Sequence, residues 1–475
     1  MHEACAENPV GVLWYVRGMN RHVIVAALVA ALAACGGRSG PSFGSEGWAC
    51  LPDDQCDDGL TCRADVCVGE DRRTQILGSV IRDVDVLFVV DDSNSMRDAQ
   101  AALVASFPSF AERLSTLEGG LPNLHIGVVS TNVGAGTGGI AGCENSGDNG
   151  LLQNTARGAC EVPSDRYIND VANSDGSRTK NYSGSLTDTF SCIAELGSSG
   201  CGFEQPLEAM RRALNGSNAQ NQGFLRPNAM LAVIVLTDED DCSTEDLAMF
   251  NTDAALDNVD SALGPLASFR CFEFGVQCSP DNPREPGSRD DCRARENSQY
   301  MYGTEEYARF LQNLKGPSVP VAFFAIAGVG PVVVGSNDGE PRLEPACGLG
   351  NGGPIADPAV RIADLAGRMG MPAPSSICEG VDLTAAAENM YGMLSGLCLS
   401  SPEPEECTFA DVANLGETDE EIVQDLPLCE SASFGACAQI TQNSASCQGA
   451  LTEVVIDRRG TTAPAGTVVV ASCPL

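Results

Sequence analysis

Histidine is nearly absent from this 475-residue chain: His2, His22 and His125 are the only three. The first two fall in an N-terminal leader, so a single imidazole remains. That argues against a His-dependent nucleophile triad, for which only His125 is left, and against a multi-histidine zinc site. His125 lies in Leu124-His125-Ile126-Gly127-Val128-Val129, a strand pattern, and reads as structural. Positive charge is also scarce. Against 64 Asp and Glu stand 28 Lys and Arg, a formal charge of -36. This argues strongly against nucleic acid as a partner, because its phosphates need Lys and Arg. No two cysteines are spaced CxxC, which lowers zinc and thioredoxin-like readings. There is no phosphate-binding glycine loop and no nucleophile placed with a base. The residues point to a binding protein and away from an enzyme. A hydrolase using paired carboxylates and metal-bound water stands as the lesser reading.

What the chain does have begins with a leader. Met19-Asn20-Arg21-His22 is a short basic start, and Val23 to Ala34 is apolar but far too short to span a bilayer. Leu32-Ala33-Ala34-Cys35-Gly36 follows. This resembles the bacterial lipobox, in which small residues precede a cysteine that takes diacylglycerol before cleavage. The resemblance implies lipidation at Cys35. With Gly36 in place of Asp, it implies the outer membrane. An ordinary signal peptide cut nearby is the alternative. Residues 1–35 are therefore expected to be a signal segment whose true start is Met19. Setting aside Cys5 and Cys35, 20 of the 22 cysteines remain. An even, high count behind an export signal implies disulfides.

Residues 36–47 (GGRSGPSFGSEG) read as a flexible tether. Residues 48–69 carry Cys50, Cys56, Cys62 and Cys67, too many in too short a span for a core, hence a small disulfide knot. Its Asp53, Asp54, Asp57 and Asp58 read as a solvated turn, with calcium binding as the alternative. From there strands and helices alternate. Strands are expected at Val84–Val90, Leu124–Ser130, Leu231–Leu236 and Val319–Ile326. Helices are expected at Arg97–Leu117, Pro206–Leu214, Thr304–Leu314, Pro358–Met369 and Leu383–Leu397. Such alternation predicts an α/β fold with a mostly parallel sheet. Gly134–Ser198 and Cys242–Tyr302, rich in Gly, Asn, Ser and Cys, read as surface insertions pinned by disulfides. Pro402-Glu403-Pro404-Glu405-Glu406 marks a boundary, after which 401–475 reads as a small disulfide-rich β module. It holds five cysteines, so one is expected to pair outside it, with Cys398 the nearest candidate.

The first long strand ends in Val90-Asp91-Asp92-Ser93-Asn94-Ser95-Met96. Asp91, Ser93 and Ser95 alternate, so a tight loop can turn one carboxylate and two hydroxyls inward. That donor set suits a hard divalent cation. A helix N-cap is the plain alternative. Downstream, Leu231-Ala232-Val233-Ile234-Val235-Leu236-Thr237-Asp238 ends a second apolar strand on an acid.

Together these resemble the metal-ion-dependent adhesion site of von Willebrand factor A domains, over residues 82–400. The resemblance implies a doubly wound α/β fold. It also implies a Mg2+ site (Mn2+ or Ca2+ as substitutes) on Asp91, Ser93, Ser95 and Asp238, completed by an acidic residue of a protein partner. The family's threonine is missing. Its segment is Gly200-Cys201-Gly202-Phe203-Glu204-Gln205-Pro206-Leu207-Glu208-Ala209, where Glu204 or water can supply the oxygen instead. Glu239, Asp240 and Asp241 follow Asp238 and read as a solvated acidic rim, with a second cation as the alternative. The expected function is a lipid-anchored envelope protein that binds a protein partner, in adhesion or envelope assembly. A structural scaffold with no exchangeable ligand is the second reading.

Overall fold

The computed structural model describes residues 60–63, 66–69, 73–77 and 83–474, apart from 118–119, 158–159, 174–175, 316–318, 349–354, 400–403, 414–420, 443–451 and 460–466. Cys35 and the rest of the leader, the tether, the Asp53–Asp58 turn, Cys50, Cys56 and Cys447 lie outside the described residues. Residues 1–72 form one unit and 73–475 another. In the first, Leu60–Arg63 and Val66–Gly69 make an antiparallel hairpin with Cys62 opposite Cys67.

The second unit is built on a seven-stranded sheet. Its strands are β1 (Asp83–Val90), β2 (Asn123–Ser130), β3 (Ile168–Ala172), β4 (Arg178–Lys180), β5 (Met230–Leu236), β6 (Val321–Ala327) and β7 (Ser375–Ser376). The spatial order is β7-β6-β5-β1-β2-β3-β4. The five strands from β7 to β2 are parallel, and β3 and β4 are antiparallel additions at the edge. Strands β1 and β5 are nearly continuous apolar runs because both faces of the sheet are covered.

Alternation sorts their side chains between two cores. Val84, Val86, Phe88 and Val90 face α1 (Arg97–Ser115), α2 (Leu186–Ala194) and α7 (Thr384–Ser395). Leu87 and Val89 face α3 (Pro206–Leu214), α5 (Thr304–Asn313) and α6 (Val360–Arg368). Leu103, Phe107, Phe110 and Leu114 recur at helical spacing on α1 and are buried, while Pro108 faces solvent.

The two stretches expected as insertions do more than cover the surface. The first supplies β3, β4 and α2. Phe190 of α2 stacks on Phe107 at 3.9 Å between ring centroids and lies 4.8 Å from Phe88. The second supplies the short helix α4 (Phe269–Gly275) and the strands Val276–Ser279 and Gly287–Ala294, which join Val332–Asn337 and Glu340–Glu344 in a four-stranded sheet. Disulfides pin both: Cys143–Cys201, Cys160–Cys192, Cys242–Cys271 and Cys278–Cys292. Cys347–Cys378, Cys407–Cys473 and Cys429–Cys437 complete the seven among the described residues. Seven bridges fit an oxidising compartment outside the cytosol. No described helix is long and apolar enough to cross a membrane.

The C-terminal β module packs a four-stranded against a three-stranded sheet around Phe409, Leu426, Val454 and Val469. It reaches beyond residues 401–475. Arg73–Leu77 pairs with Thr467–Pro474, and Gly396–Leu399 pairs with Thr452–Asp457.

Candidate metal centre

Chain order along the sheet reverses between β1 and β5, so the connections leaving these neighbours run in opposite directions and open a crevice at their carboxyl ends. Asp91 is the first residue after β1, and Asp238 stands two residues after β5. The two loops are tied together. The Asp91 N–H donates to the Leu236 carbonyl at 2.9 Å, and the Thr237 hydroxyl donates to Asp91 Oδ2 at 2.7 Å. The other carboxylate oxygen of Asp91 accepts from the Ser93 N–H at 2.7 Å, which folds the loop so that Ser93 Oγ and Ser95 Oγ lie 3.3 Å apart. Gln100, buried on α1, donates to the Asp91 carbonyl at 2.7 Å and fixes the loop from below. Asp91 and Ser93 are buried and Ser95 is exposed, so the site reaches solvent on the Ser95 side.

Glu204 enters from the loop before α3. It is 1 % exposed, and its Oε1 has no hydrogen-bond partner; the same is true of Oδ1 on Asp238. Two disulfides hold Glu204 in place. Cys201 is bridged to Cys143, and the amide of the bridged Cys242 donates to the Glu204 carbonyl at 2.7 Å. The Thr131 hydroxyl, just past β2, is likewise buried and without a partner.

Two acids that the motif did not single out as ligands join the group. The Glu239 carboxyl is buried against Glu204, although the residue keeps some exposed surface. Asp357 donates its N–H to the Asp238 carbonyl at 2.8 Å. Gly328 packs on Asp357 so tightly that a Cβ there would fall 1.8 Å from the Asp357 carbonyl oxygen, which only glycine avoids.

Crowding acids away from water raises their proton affinity. Burial, then the Asp238 charge, pushes Asp91 up to about 7. Burial, then Asp357, Asp91 and Asp238, pushes Glu239 up to about 8. Burial, then Glu239 and Asp91, holds Glu204 well above the usual carboxylate range. Asp238 is raised by burial, against the Ser95 hydroxyl, and Asp357 rises to about 6 by burial and Asp238. Among the described residues none of these five acids pairs with a Lys or Arg at ion-pair distance. Unpaired buried carboxylate oxygens beside two hydroxyls fit a hard divalent cation. Asp91, Ser93, Ser95, Asp238 and Glu204 are the residues that would hold it. The acids are not a closed cage: no three of them bring oxygens within 4.8 Å of one another. The group that does, Cys429, Cys437 and Asp457, has its sulfurs joined in a disulfide.

The acidic rim expected at Asp240 and Asp241 is not solvated. Asp240 accepts from the Arg361 and Ile362 amides at 3.0 and 3.3 Å, at the N-terminus of α6, where a negative charge is favoured. Asp241 forms a fully buried ion pair with Arg361 at 3.0 Å and also accepts from the Leu207 N–H. These two acids dock α6 and α3 and take no part in the cluster. His125 is buried within β2. Its Nδ1 is 2.8 Å from the Phe224 carbonyl, beside an ion-pair group of Asp85, Arg226 and Lys315 near the other end of β1.

No family model matches this chain, and no curated protein does. Among solved structures it is similar to the pilus adhesin SpaC from Lactobacillus rhamnosus GG in its open conformation. That match has 12 % identity and a TM-score of 0.30, covering 92 % of this chain and 48 % of the other. It is also similar to the human COPII-coat protein Sec24c, at 11 % identity and a TM-score of 0.29, over 94 % and 48 %. The chain spans about half the length of either. At these TM-scores neither likeness bears on fold or function.

Proposed function

We propose that residues 82–400 form a doubly wound domain of the von Willebrand factor A type, and that the chain is an exported, lipid-anchored envelope protein. It binds a protein partner through a divalent cation at the carboxyl ends of β1 and β5, in adhesion or envelope assembly. One observation supports this reading: buried oxygens of Glu204 and Asp238 have no hydrogen-bond partner, and both residues neighbour the Asp91-x-Ser93-x-Ser95 loop where the strand order reverses. A bound cation would supply the positive centre that these acids lack and that a partner's carboxylate would seek. The residues themselves shape the loop, exclude water from Asp91 and leave Ser95 open to an incoming group. A pull-down from envelope extracts, with and without EDTA, tests the reading. Partner capture that survives EDTA unchanged contradicts it.

The scaffold reading draws on a different fact. Glu204 and Glu239 would each add a negative charge around the site once a bound cation displaced the protons that burial makes them hold, and this disfavours an acidic ligand. If EDTA lowers the melting temperature yet leaves capture intact, the cation serves the fold alone.

A further inference from the structure

Lys and Arg vanish from the sequence between Arg368 and Arg458. Residues 401–475 set 12 Asp and Glu against Arg458 and Arg459 alone, a net charge of -10. Both arginines are spent inside the C-terminal module. Arg458 is buried and pairs with the buried Asp411 at 2.7 Å. Arg459 donates to the Ala432 and Cys429 carbonyls at 2.8 and 3.3 Å. The surface that this stretch presents to water is accordingly acidic.

It is also the stretch where apolar side chains stand out. Of the seven large hydrophobic residues that are exposed among the described residues, Ile422, Val423 and Phe434 fall within thirteen positions. Phe434 is the extreme, at 88 % exposed. Its loop is braced. The Cys429–Cys437 bridge closes it, the Ser431 and Ala432 amides donate to the Leu428 carbonyl, and Arg459 holds it from outside. An aromatic side chain carried on a braced loop loses little freedom when it meets a partner, and such residues are enriched where proteins dock.

Both feet of that loop line a groove of about 570 Å³. Leu428, Ala438 and Ile440 give it apolar walls, and Glu405 and Glu430 give it charge. Among the described residues neither acid pairs with a Lys or Arg. One side of the groove is the strand Cys437–Thr441, which is the outer strand of the three-stranded sheet. Ala438 turns its backbone outward, to the Pro427 carbonyl and the Cys429 amide. Outward-facing residues alternate in an antiparallel ladder, so Ile440 turns its amide and carbonyl to the same edge, where no described residue bonds to them. A sheet edge with backbone groups to spare, running beside a groove, suits an extended segment that adds itself as a further strand.

We propose that this groove and Phe434 dock an extended, positively charged segment of a partner protein. Its basic side chains face Glu405 and Glu430, and its apolar ones enter the groove and meet Phe434. The acidic surface turns away other occupants: a second copy of the chain brings the same -10 charge, and an anionic lipid surface is repelled alike. This surface shares no residue with the cation site and does not depend on it.

The test is fluorescence anisotropy of a short labelled peptide of alternating leucine and lysine. It is titrated with the oxidised full chain in EDTA, so that the cation site plays no part. Wild type is expected to bind it, and Phe434→Ser to weaken binding by roughly tenfold. Because Phe434 lies in solvent, the Ser variant leaves the core of the module intact. Glu405→Gln combined with Glu430→Gln should also weaken binding by roughly tenfold and flatten its dependence on salt. A peptide of alternating serine and lysine should bind wild type at least about tenfold more weakly. The proposal is overturned if wild type does not bind the leucine–lysine peptide, or binds both peptides equally, which would leave only diffuse charge attraction. Unchanged affinity in the Phe434→Ser variant or in the double Gln variant overturns it too. So does Phe434-dependent dimerisation in sedimentation, which assigns the surface to a second copy, or Phe434-dependent flotation with phosphatidylcholine vesicles, which assigns it to a membrane.

Discussion

The Thr237 hydroxyl donates to Asp91 Oδ2 at 2.7 Å across 146 residues of sequence. Thr237 is the first residue after β5 and Asp91 the first after β1, so this bond fixes the carboxylate from beside the neighbouring strand. Asp91→Ala is expected to abolish divalent-cation binding in calorimetry while far-UV circular dichroism stays unchanged, because the side chain lies beyond the strand and outside both cores. Ser93→Ala and Ser95→Ala remove neutral oxygens and should weaken binding less. Thr237→Val should cost about 1 kcal/mol of stability by removing one hydrogen bond, with a smaller loss of cation affinity.

Acidity should act on the metal-free protein in a defined direction. Asp91 is raised to about 7 and Glu239 to about 8, both above the usual carboxylate range. The folded state therefore holds protons that the unfolded chain has released. Their stabilising effect is complete below the unfolded values and is lost as pH rises through about 7 to 8. In EDTA, the melting temperature is expected to fall between pH 5 and about 8 on account of these groups. Adding calcium at pH 8 should reverse that fall, and binding near pH 6.5 should release protons, which the buffer dependence of the binding enthalpy measures. A metal-free melting temperature that climbs steadily to pH 8 contradicts the assignment.

The Arg361–Asp241 pair is fully buried at 3.0 Å. Arg361→Met leaves Asp241 charged and uncompensated, and should cost about 3–5 kcal/mol in urea unfolding. Adding Asp241→Asn should recover part of that loss, because it removes the stranded charge.

Peptide mapping of the oxidised protein should recover the Cys143–Cys201 and Cys242–Cys271 bridges. Replacing both cysteines of Cys242–Cys271 by Ser is expected to cost about 2–5 kcal/mol. It should also weaken cation binding, because the Cys242 amide holds the Glu204 carbonyl. An unchanged cation affinity would show that Glu204 needs no such support.

Cys35→Ala is expected to move the protein from the membrane fraction to the soluble fraction, since acyl chains supply about 0.8 kcal/mol per buried methylene. An Ala variant that stays with the membrane would falsify the lipobox reading.

Periodicity revealed the strands and helices that carry strong apolar patterns. Pro206–Leu214 was located to the residue, and β1, β2, β5 and β6 to within about two. It missed α2, whose nine residues open with Leu186-Thr187-Asp188-Thr189 and contribute to the core chiefly through Phe190 and Ile193. It missed β3 and β4, because an edge pair half open to water needs little apolar character. The Asp91-x-Ser93-x-Ser95 loop and Asp238 were legible because each follows a strand whose end is plain. Asp357 was not, because its place beside Asp238 depends on a glycine contact formed only in three dimensions. Asp240 and Asp241 look like surface from the sequence, since Arg361, which buries Asp241, and the α6 amides that hold Asp240 lie some 120 residues further on.

The place where the strand order reverses also sets a condition on when the site can exist. Its residues come from the ends of β1 and β5, from the loop before α3, and from Asp357 after β6. A chain that has folded only as far as α1 carries the whole Asp91-x-Ser93-x-Ser95 loop, yet lacks the strand that positions Asp91 and the acids that complete the group. Ion capture at the proposed site would thus come late, after the long-range parallel pairings that form most slowly. In an export pathway, where the chain emerges from its N-terminus, the cation would mark molecules whose central sheet has closed and leave half-formed ones unmarked.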